Sequence, residues 1–484
     1  MPQTMRHRFL LNAFLLLHAC IVNSALAQYV DQLPAVVTTH LKAEGIPVSS
    51  VAVIVQEAPA VMPRVSVNAG LPVNPASLMK LLTTYAALEL LGPAYTWKTE
   101  AWMTGTLNDG VLQGDLILKG SGDPKLSFEQ FWLLLRQLRA RGVRDIRGDL
   151  VLDRSLFDTA ASAEEETPFD DQPLRPYNVK PDALLVNFKS MRIQLLTDPA
   201  LKTVAALPEP KFANLEIVSQ IRPGSGICGN WKDALHAEIQ QAGKRMRLLL
   251  SGTYSPDCGE KNWNLGVLSH PQYVFGLFNQ LWQELGGTFA GTLRESAIPR
   301  DARLLASIES PSLGEIVRDI NKYSNNVMAR QLFHTLGIES GNRPIRSTDA
   351  DAAIRSWLAM KRLDFPELVL ENGSGLSRRE RISAESLARL LATAWKSPVM
   401  PEFIASLPLT AIDGTMKKRL KQNGVAGQAH IKTGSLDNVK AIAGYVLDRS
   451  GRWQIVVFIV NHPKASGAQA AQDALLQWVY ERGI

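Results

Sequence analysis

Ser77-Leu78-Met79-Lys80 opens an apolar run that reaches Leu91 and is stopped by Gly92-Pro93. The spacing predicts a helix over 77–91, with Ser77 and Lys80 three apart on one face of its first turn. Two other short motifs follow in the chain, Ser324-Asn325-Asn326 and Lys432-Thr433-Gly434. If the three act together, the fold must bring residues more than a hundred positions apart into one site. That excludes a simple run of independent domains.

The chemistry of the pieces fits nucleophilic catalysis. A serine hydroxyl is a poor nucleophile until a base takes its proton. The usual histidine is not offered by any local pattern: there is no G-x-S-x-G turn, and the eight histidines are scattered. A lysine serves if burial and neighbouring cations lower its pKa. Lys80 on an apolar helix, with Lys432 folded against it, meets that condition. Ser77 near the positive end of a helix dipole favours developing negative charge. Ser324 is placed to relay a proton between Lys80, Lys432 and a leaving group, and Asn326 to bind substrate peptide groups. Tyr323-Ser324-Asn325 also reads as Y-x-N, a frame shifted by one residue, and both frames stand. Thr433 suits a terminal carboxylate, and Gly434 lets a substrate backbone approach. The backbone N–H groups of Ser77 and Ser435 suit an oxyanion. No H-E-x-x-H and no compact Cys/His set points to a metal, and no cofactor is called for.

The N-terminus has the pattern of a secretory signal. Arg6 and Arg8 precede an apolar stretch, Phe9 to Val22, and Ala25-Leu26-Ala27 offers a cleavage site, so the mature chain starts at Gln28. Losing Arg6 and Arg8 and no acid takes the formal charge from +6 to +4. That mild positive balance suits an anionic cell-wall polymer and, without a Lys/Arg run, does not indicate nucleic acid. Beyond residue 27 no segment is apolar and long enough to span a bilayer. Cys228 and Cys258 remain after the signal, and an even pair in an oxidising compartment predicts a disulfide.

Along the chain, Ser49–Gln56 reads as a buried strand and the stretch from about Trp97 as short strands and turns. Gly114–Leu118 and Gly148–Leu152 resemble two hairpin strands. Pro271–Leu285 reads as a helix, Pro311–Ile338 as two helices holding Ser324, and Ala429–Thr433, Val439–Leu447 and Arg452–Val460 as strands. A last helix covers Ala465–Tyr480. The first and last strands form one sheet, which makes the middle of the chain an insertion.

The three motifs together resemble those of the penicillin-recognising serine acyl enzymes. With Gly120–Pro124, Gly148–Asp158, Gly373–Arg378 and Ser406–Gly414, the chain resembles the type-4 penicillin-binding proteins, a D-alanyl-D-alanine carboxypeptidase/endopeptidase family. The resemblance implies an α+β fold: a transpeptidase-like, β-lactamase-like domain, its sheet covered by helices, with two inserted β-rich domains. The catalytic domain would comprise 28–104 and 299–484, the second domain 105–160 and 264–298, and the third 161–263. It implies a periplasmic serine peptidase acting on peptidoglycan peptides through a Ser77 acyl-enzyme, with β-lactam antibiotics as covalent inhibitors. It also implies an acidic residue in the innermost insertion that contacts a diaminopimelate amino group; Asp171 is the nearest match and Asp170 the alternative. A β-lactamase and a cell-wall-binding protein without turnover remain the competing readings.

Overall fold

The computed structural model describes residues 32–60, 62–158, 169–198, 200, 202–242 and 245–482. The signal-like segment through Ala27 and the acidic run Glu164–Glu166 lie outside the described residues.

A five-stranded antiparallel sheet organises the two ends of the chain. Its order is Ala429–Leu436, Val439–Leu447, Trp453–Asn461, Val51–Glu57 and Val65–Val67. Successive side chains of a strand face opposite ways, and both sets here are apolar. Ala52, Ile54, Ala443, Tyr445, Val457 and Ile459 join a core with the serine helix, while Val51, Val53, Val55, Ile442, Val456 and Phe458 join another. The second core is closed by Val37 and Leu41 of the helix Ala35–Ala43 and by Leu475, Leu476 and Val479 of Gln469–Arg482.

The serine helix begins as a 3-10 turn, Ala76–Leu78, and continues as an α-helix over Met79–Leu91. Every residue from Met79 to Leu88 is buried. A helix apolar all round belongs inside a domain, and this one sits between the sheet and the helices Leu313–Tyr323, Asn326–Leu336 and Ala384–Trp395. Lys80 is the one charged side chain in that buried stretch.

After this helix the chain builds other sheets before it returns. One five-stranded sheet has the order Leu293–Glu295, Leu150–Asp153, Leu116–Lys119, Lys98–Met103 and Arg303–Glu309. A small four-stranded sheet and two three-stranded sheets, one on Met191–Asp198 and one on Arg245–Tyr254, complete the insertion around a shared core. The two resembling segments are not a hairpin. Leu116–Lys119 and Leu150–Asp153 run parallel, because the helix Phe128–Ala140 carries the chain back between them. That helix replaces part of the expected strands and turns: Phe131, Leu134, Leu135 and Leu138 recur at helical spacing and are buried, and Ser127 caps its start. Cys228 and Cys258 are joined in a disulfide within the insertion. Among the described residues no helix is long and apolar enough to cross a membrane.

Candidate active site

Ser77 is held by an unusual turn. Asn74 is tied to the last strand, with its N–H donating to Asn461 Oδ1 at 2.8 Å and its carbonyl accepting from Asn461 Nδ2 at 3.0 Å. Its Oδ1 then accepts the Ala76 N–H at 2.9 Å. Ala76 is left at φ 47°, a strained conformation for a residue with a Cβ. The chain thereby turns into the helix with Ser77 at its mouth.

Lys80 lies directly behind it. Its Nζ is 3.1 Å from Ser77 Oγ and 2.5 Å from Asn326 Oδ1, and it also bonds to the Ser374 carbonyl. Burial and then the charge of Lys432 push the Lys80 ammonium pKa well below the ordinary lysine value, with Arg330 adding to the fall and Glu380 opposing it. A neutral amine has two hydrogens and one lone pair. Asn326 Oδ1 and Ser374 O are acceptors that cannot donate back, so they take the two hydrogens. The lone pair is then left for the hydroxyl of Ser77.

A second lysine closes the other side. Lys432 is fully buried, and burial lowers its pKa to about 7. Its Nζ donates to Ser324 Oγ at 2.8 Å and to the Thr433 carbonyl at 2.8 Å. Ser324 ends its helix in the left-handed region, at φ 55° and ψ 39°. Asn325 caps the next helix, accepting the Met328 N–H on Oδ1 at 3.1 Å. Ser324 and Asn326 therefore meet the two lysines, whereas Tyr323 is 70% exposed. The S-x-N frame is the one that faces inward.

The motif strand presses on the serine turn. A Cβ on Gly434 would lie 2.8 Å from the Pro75 carbonyl oxygen and 3.2 Å from Ser77 N. Thr433 Oγ1 pairs with Thr415 Oγ1 at 2.8 Å, and Ser435 is exposed one residue beyond Gly434.

The acidic pair divides. Asp170 Oδ2 accepts from Tyr177 Oη at 2.6 Å and Oδ1 accepts from Asn178 Nδ2 at 2.7 Å. Burial opposes its charge, but these hydrogen bonds hold its carboxyl below the usual range. Asp171 is exposed, beside a surface cavity lined also by Arg175, Lys232 and His236. The segment still reaches the rim of the site: Arg378 stacks on Phe169 at 4.4 Å and pairs with Asp437, beyond the motif strand, at 2.7 Å. Among the described residues no group of three His, Cys, Asp or Glu is placed to hold a metal.

Several residues of the site carry no role in the motifs. Ser374 offers a carbonyl. Gly375, at φ 79°, has its Cβ position 1.9 Å from the Ala76 carbonyl oxygen and 2.7 Å from Ser77 N. Lys322 Nζ, next to Tyr323-Ser324, bonds to the Leu407 carbonyl at 2.6 Å and to Asp413 at 2.7 Å. Ser374, Gly375 and the two partners of Lys322 belong to the segments 373–378 and 406–414, which the sequence marks only as part of the resemblance.

The sequence matches the D-Ala-D-Ala carboxypeptidase 3 (S13) family over residues 33–482. A D-alanyl-D-alanine carboxypeptidase of Actinomadura sp. (strain R39) is 30% identical over 415 residues, covering 83% of this chain and 76% of the relative. The D-alanyl-D-alanine carboxypeptidase DacB of Haemophilus influenzae is 24% identical over 395 residues, covering 80% of each. The crystal structure of penicillin binding protein 4 from Haemophilus influenzae superposes with a TM-score of 0.76 at 22% identity, over 91% of this chain and 99% of that one. A predatory endopeptidase of Bdellovibrio bacteriovorus superposes with a TM-score of 0.52 at 18% identity, over 90% of this chain and 94% of that one. The two structures share the α+β fold with this chain.

Proposed function

The chain belongs to the D-Ala-D-Ala carboxypeptidase (S13) family and is a serine-type enzyme of that class; from that premise we propose that Ser77 is the residue acylated and Lys80 its general base. The substrate is a peptidoglycan stem peptide ending in D-alanyl-D-alanine. The observation that carries the reading is the Lys80 ammonium site: two acceptors that fix its hydrogens and a serine hydroxyl on the remaining side.

Neutral Lys80 takes the Ser77 proton as Oγ attacks the carbonyl of the penultimate D-alanine. The Ser77 and Ser435 N–H groups stabilise the oxyanion. Lys432, with a pKa near neutrality, passes a proton through Ser324 to the departing amine. The Thr433 hydroxyl, oriented by Thr415, binds the terminal carboxylate, and Gly434 gives room for the substrate backbone. Lys80 then gives up the proton it took from Ser77, which restores Lys432 to its protonated form; neutral again, Lys80 takes a proton from the water that attacks the ester and returns it to Ser77 Oγ as the ester bond breaks. With a cross-linked substrate the departing amine belongs to a neighbouring stem peptide, which gives D,D-endopeptidase activity. Asp171, the acid of the pair whose neighbour is already engaged, contacts the diaminopimelate amino group. β-Lactams acylate Ser77 by the same attack. The catalytic unit is 28–104 with 299–484, carrying 105–160 with 264–298 and, inside that, 161–263. Export to the periplasm, with cleavage after Ala27, fits the disulfide.

Digestion of defined monomeric and cross-linked muropeptides tests this, with product masses recorded. Monomers should lose one alanine and dimers should fall to monomers. Ser77→Ala should do neither and should not take a fluorescent penicillin. Product release by a folded Ser77→Ala protein, or a penicillin adduct mapped elsewhere, would refute the assignment.

A further inference from the structure

The segment 371–378 crosses the first turn of the serine helix and supplies the carbonyl that Lys80 binds. Two buried side chains fold it. Glu380 has no exposed surface, and its Oε1 accepts three backbone N–H groups: Glu371 at 3.2 Å, Asn372 at 3.0 Å and Gly373 at 3.1 Å. Asn372 Oδ1 accepts from Ser374 N at 3.0 Å and from Ser374 Oγ at 2.7 Å, while its Nδ2 donates to the Leu376 carbonyl at 2.9 Å. Thr83, on the serine helix itself, donates to the Gly373 carbonyl at 2.7 Å. The other carboxyl oxygen, Glu380 Oε2, is buried without a hydrogen-bond partner among the described residues. A buried carboxyl with a bare oxygen is costly. A fold that keeps one beside its reactive lysine gains something other than stability from it.

We propose that Glu380 is a positioning residue for the general base: it folds residues 371–374 so that the Ser374 carbonyl takes one Lys80 hydrogen and leaves the lone pair toward Ser77. This rests on the reading of Lys80 as the base. The reason is geometric. A neutral amine with one hydrogen claimed can still place its lone pair at either of two remaining positions; claiming both hydrogens leaves it one. Asn326 claims one, and a side chain that also serves substrate binding is a poor sole anchor. The backbone carbonyl claims the other, and only the 371–374 turn holds that carbonyl in place. The charges that face Lys80 are Lys432 and Arg330, which disfavour its protonation, and Glu380, which favours it when ionised; burial raises the Glu380 pKa, and the three backbone N–H groups pull it back down. Loss of Glu380 therefore misaims the amine and also lowers its proton affinity.

The measurement is the second-order rate of acylation by a penicillin across pH, beside a thermal melt. Glu380→Ala should lower the rate about 100-fold, the scale of a misplacement near 1 Å. Its rising limb should move to lower pH, since Lys80 then loses its proton more readily. Glu380→Gln keeps the acceptor oxygen and should recover most of the rate. If Glu380→Ala does not fold, Asn372→Ala replaces it; it frees Ser374 with the carboxyl in place and should lose rate to the same degree. Lys80→Arg is run in parallel. It should be inert, because arginine does not accept a proton at these pH values. An inert Lys80→Arg beside a folded Glu380→Ala or Asn372→Ala protein at the wild-type rate overturns the proposal and leaves the base assignment standing. A slowed Glu380→Ala whose limb has not moved, with no recovery in Glu380→Gln, also overturns it, as ordinary damage to the fold. A Lys80→Arg protein that acylates normally overturns the base assignment itself.

Discussion

Gly375→Ala isolates how much of the rate depends on the placement of Ser77. A Cβ at this position would meet the Ala76 carbonyl oxygen at 1.9 Å, the Ala76 carbonyl carbon at 2.3 Å and Ser77 N at 2.7 Å. Ordinary van der Waals contact begins near 3.4 Å, so the two backbones must part by about 1.5 Å. The atoms that would move are the peptide that carries the Ser77 N–H. They cannot move alone, because Ala76 is pinned by Asn74 and Gly434 packs on the same turn from the other side. A misplacement near 1 Å costs about 100-fold in rate, or about 2.7 kcal/mol of barrier. The substitution also strains the backbone, since Gly375 sits at φ 79°, at a cost of about 1–3 kcal/mol. Gly451→Ala separates the two effects. Gly451 is at φ 81° in the turn between the last two strands, with nothing within 4 Å of its Cβ position. Both variants should melt at lower temperature. Only Gly375→Ala should lose penicillin acylation, measured as a second-order rate with a fluorescent penicillin. A folded Gly375→Ala protein that acylates within about threefold of wild type, well short of that 100-fold scale, would refute the claim that this contact fixes the nucleophile.

Two further outcomes concern stability. His334 is buried and the His270 side chain is only 13% exposed, and desolvation lowers both pKa values from 6.5 to about 4, against an opposing pull from Asp182 at His270 and with help from Arg330 at His334. The unfolded chain takes up protons below pH 6.5 while the folded one does not until about 4, so stability is fully present above 6.5 and falls towards 4, by at most about 3 kcal/mol per histidine. Melting temperature against pH should show this loss, and His334→Gln should flatten its share; an unchanged slope in that variant would contradict the assignment. The Cys228–Cys258 bond closes a loop of sequence separation 30, so its double Ser variant should lose about 3–4 kcal/mol in the insertion yet keep acylating at Ser77. Loss of acylation by a folded double variant would show that the insertion supports the site more directly than the contacts indicate.

What could be read from sequence was whatever the chain encodes locally. The spacing of Ser77 and Lys80 is a property of one helical turn, and the apolar run in Val439–Leu447 is a property of one strand; both are found where the pattern places them. The helix Phe128–Ala140 was also encoded locally, by Phe131, Leu134, Leu135 and Leu138, but the short strands around it masked its period. The parallel pairing of Leu116–Lys119 with Leu150–Asp153 follows from that helix, so missing one meant missing the other. The two frames at Tyr323–Asn326 could not be separated locally, because the decision is made by Asn325 turning back to cap its own helix.

The remaining parts of the site share a different property: they act through backbone atoms or through partners far away in the chain. Ala76 adopts a positive φ because Asn74 is held by Asn461, 387 residues later, and alanine gives no sign of it. Lys80 is aimed by the Ser374 carbonyl, and a carbonyl is present at every position of every sequence. Such a contact leaves only indirect marks, a glycine where two backbones meet and a buried acid where three N–H groups need an acceptor. Gly375 and Glu380 are those marks here. Their positions, Gly375 inside and Glu380 just beyond a segment that stood out by resemblance yet had no chemistry of its own, follow from what a lysine base requires. It must be stripped of water to lose its proton and tethered on two sides to keep its lone pair in line. The first need is met by side chains that a motif can name, and the second by a turn of backbone that a motif cannot.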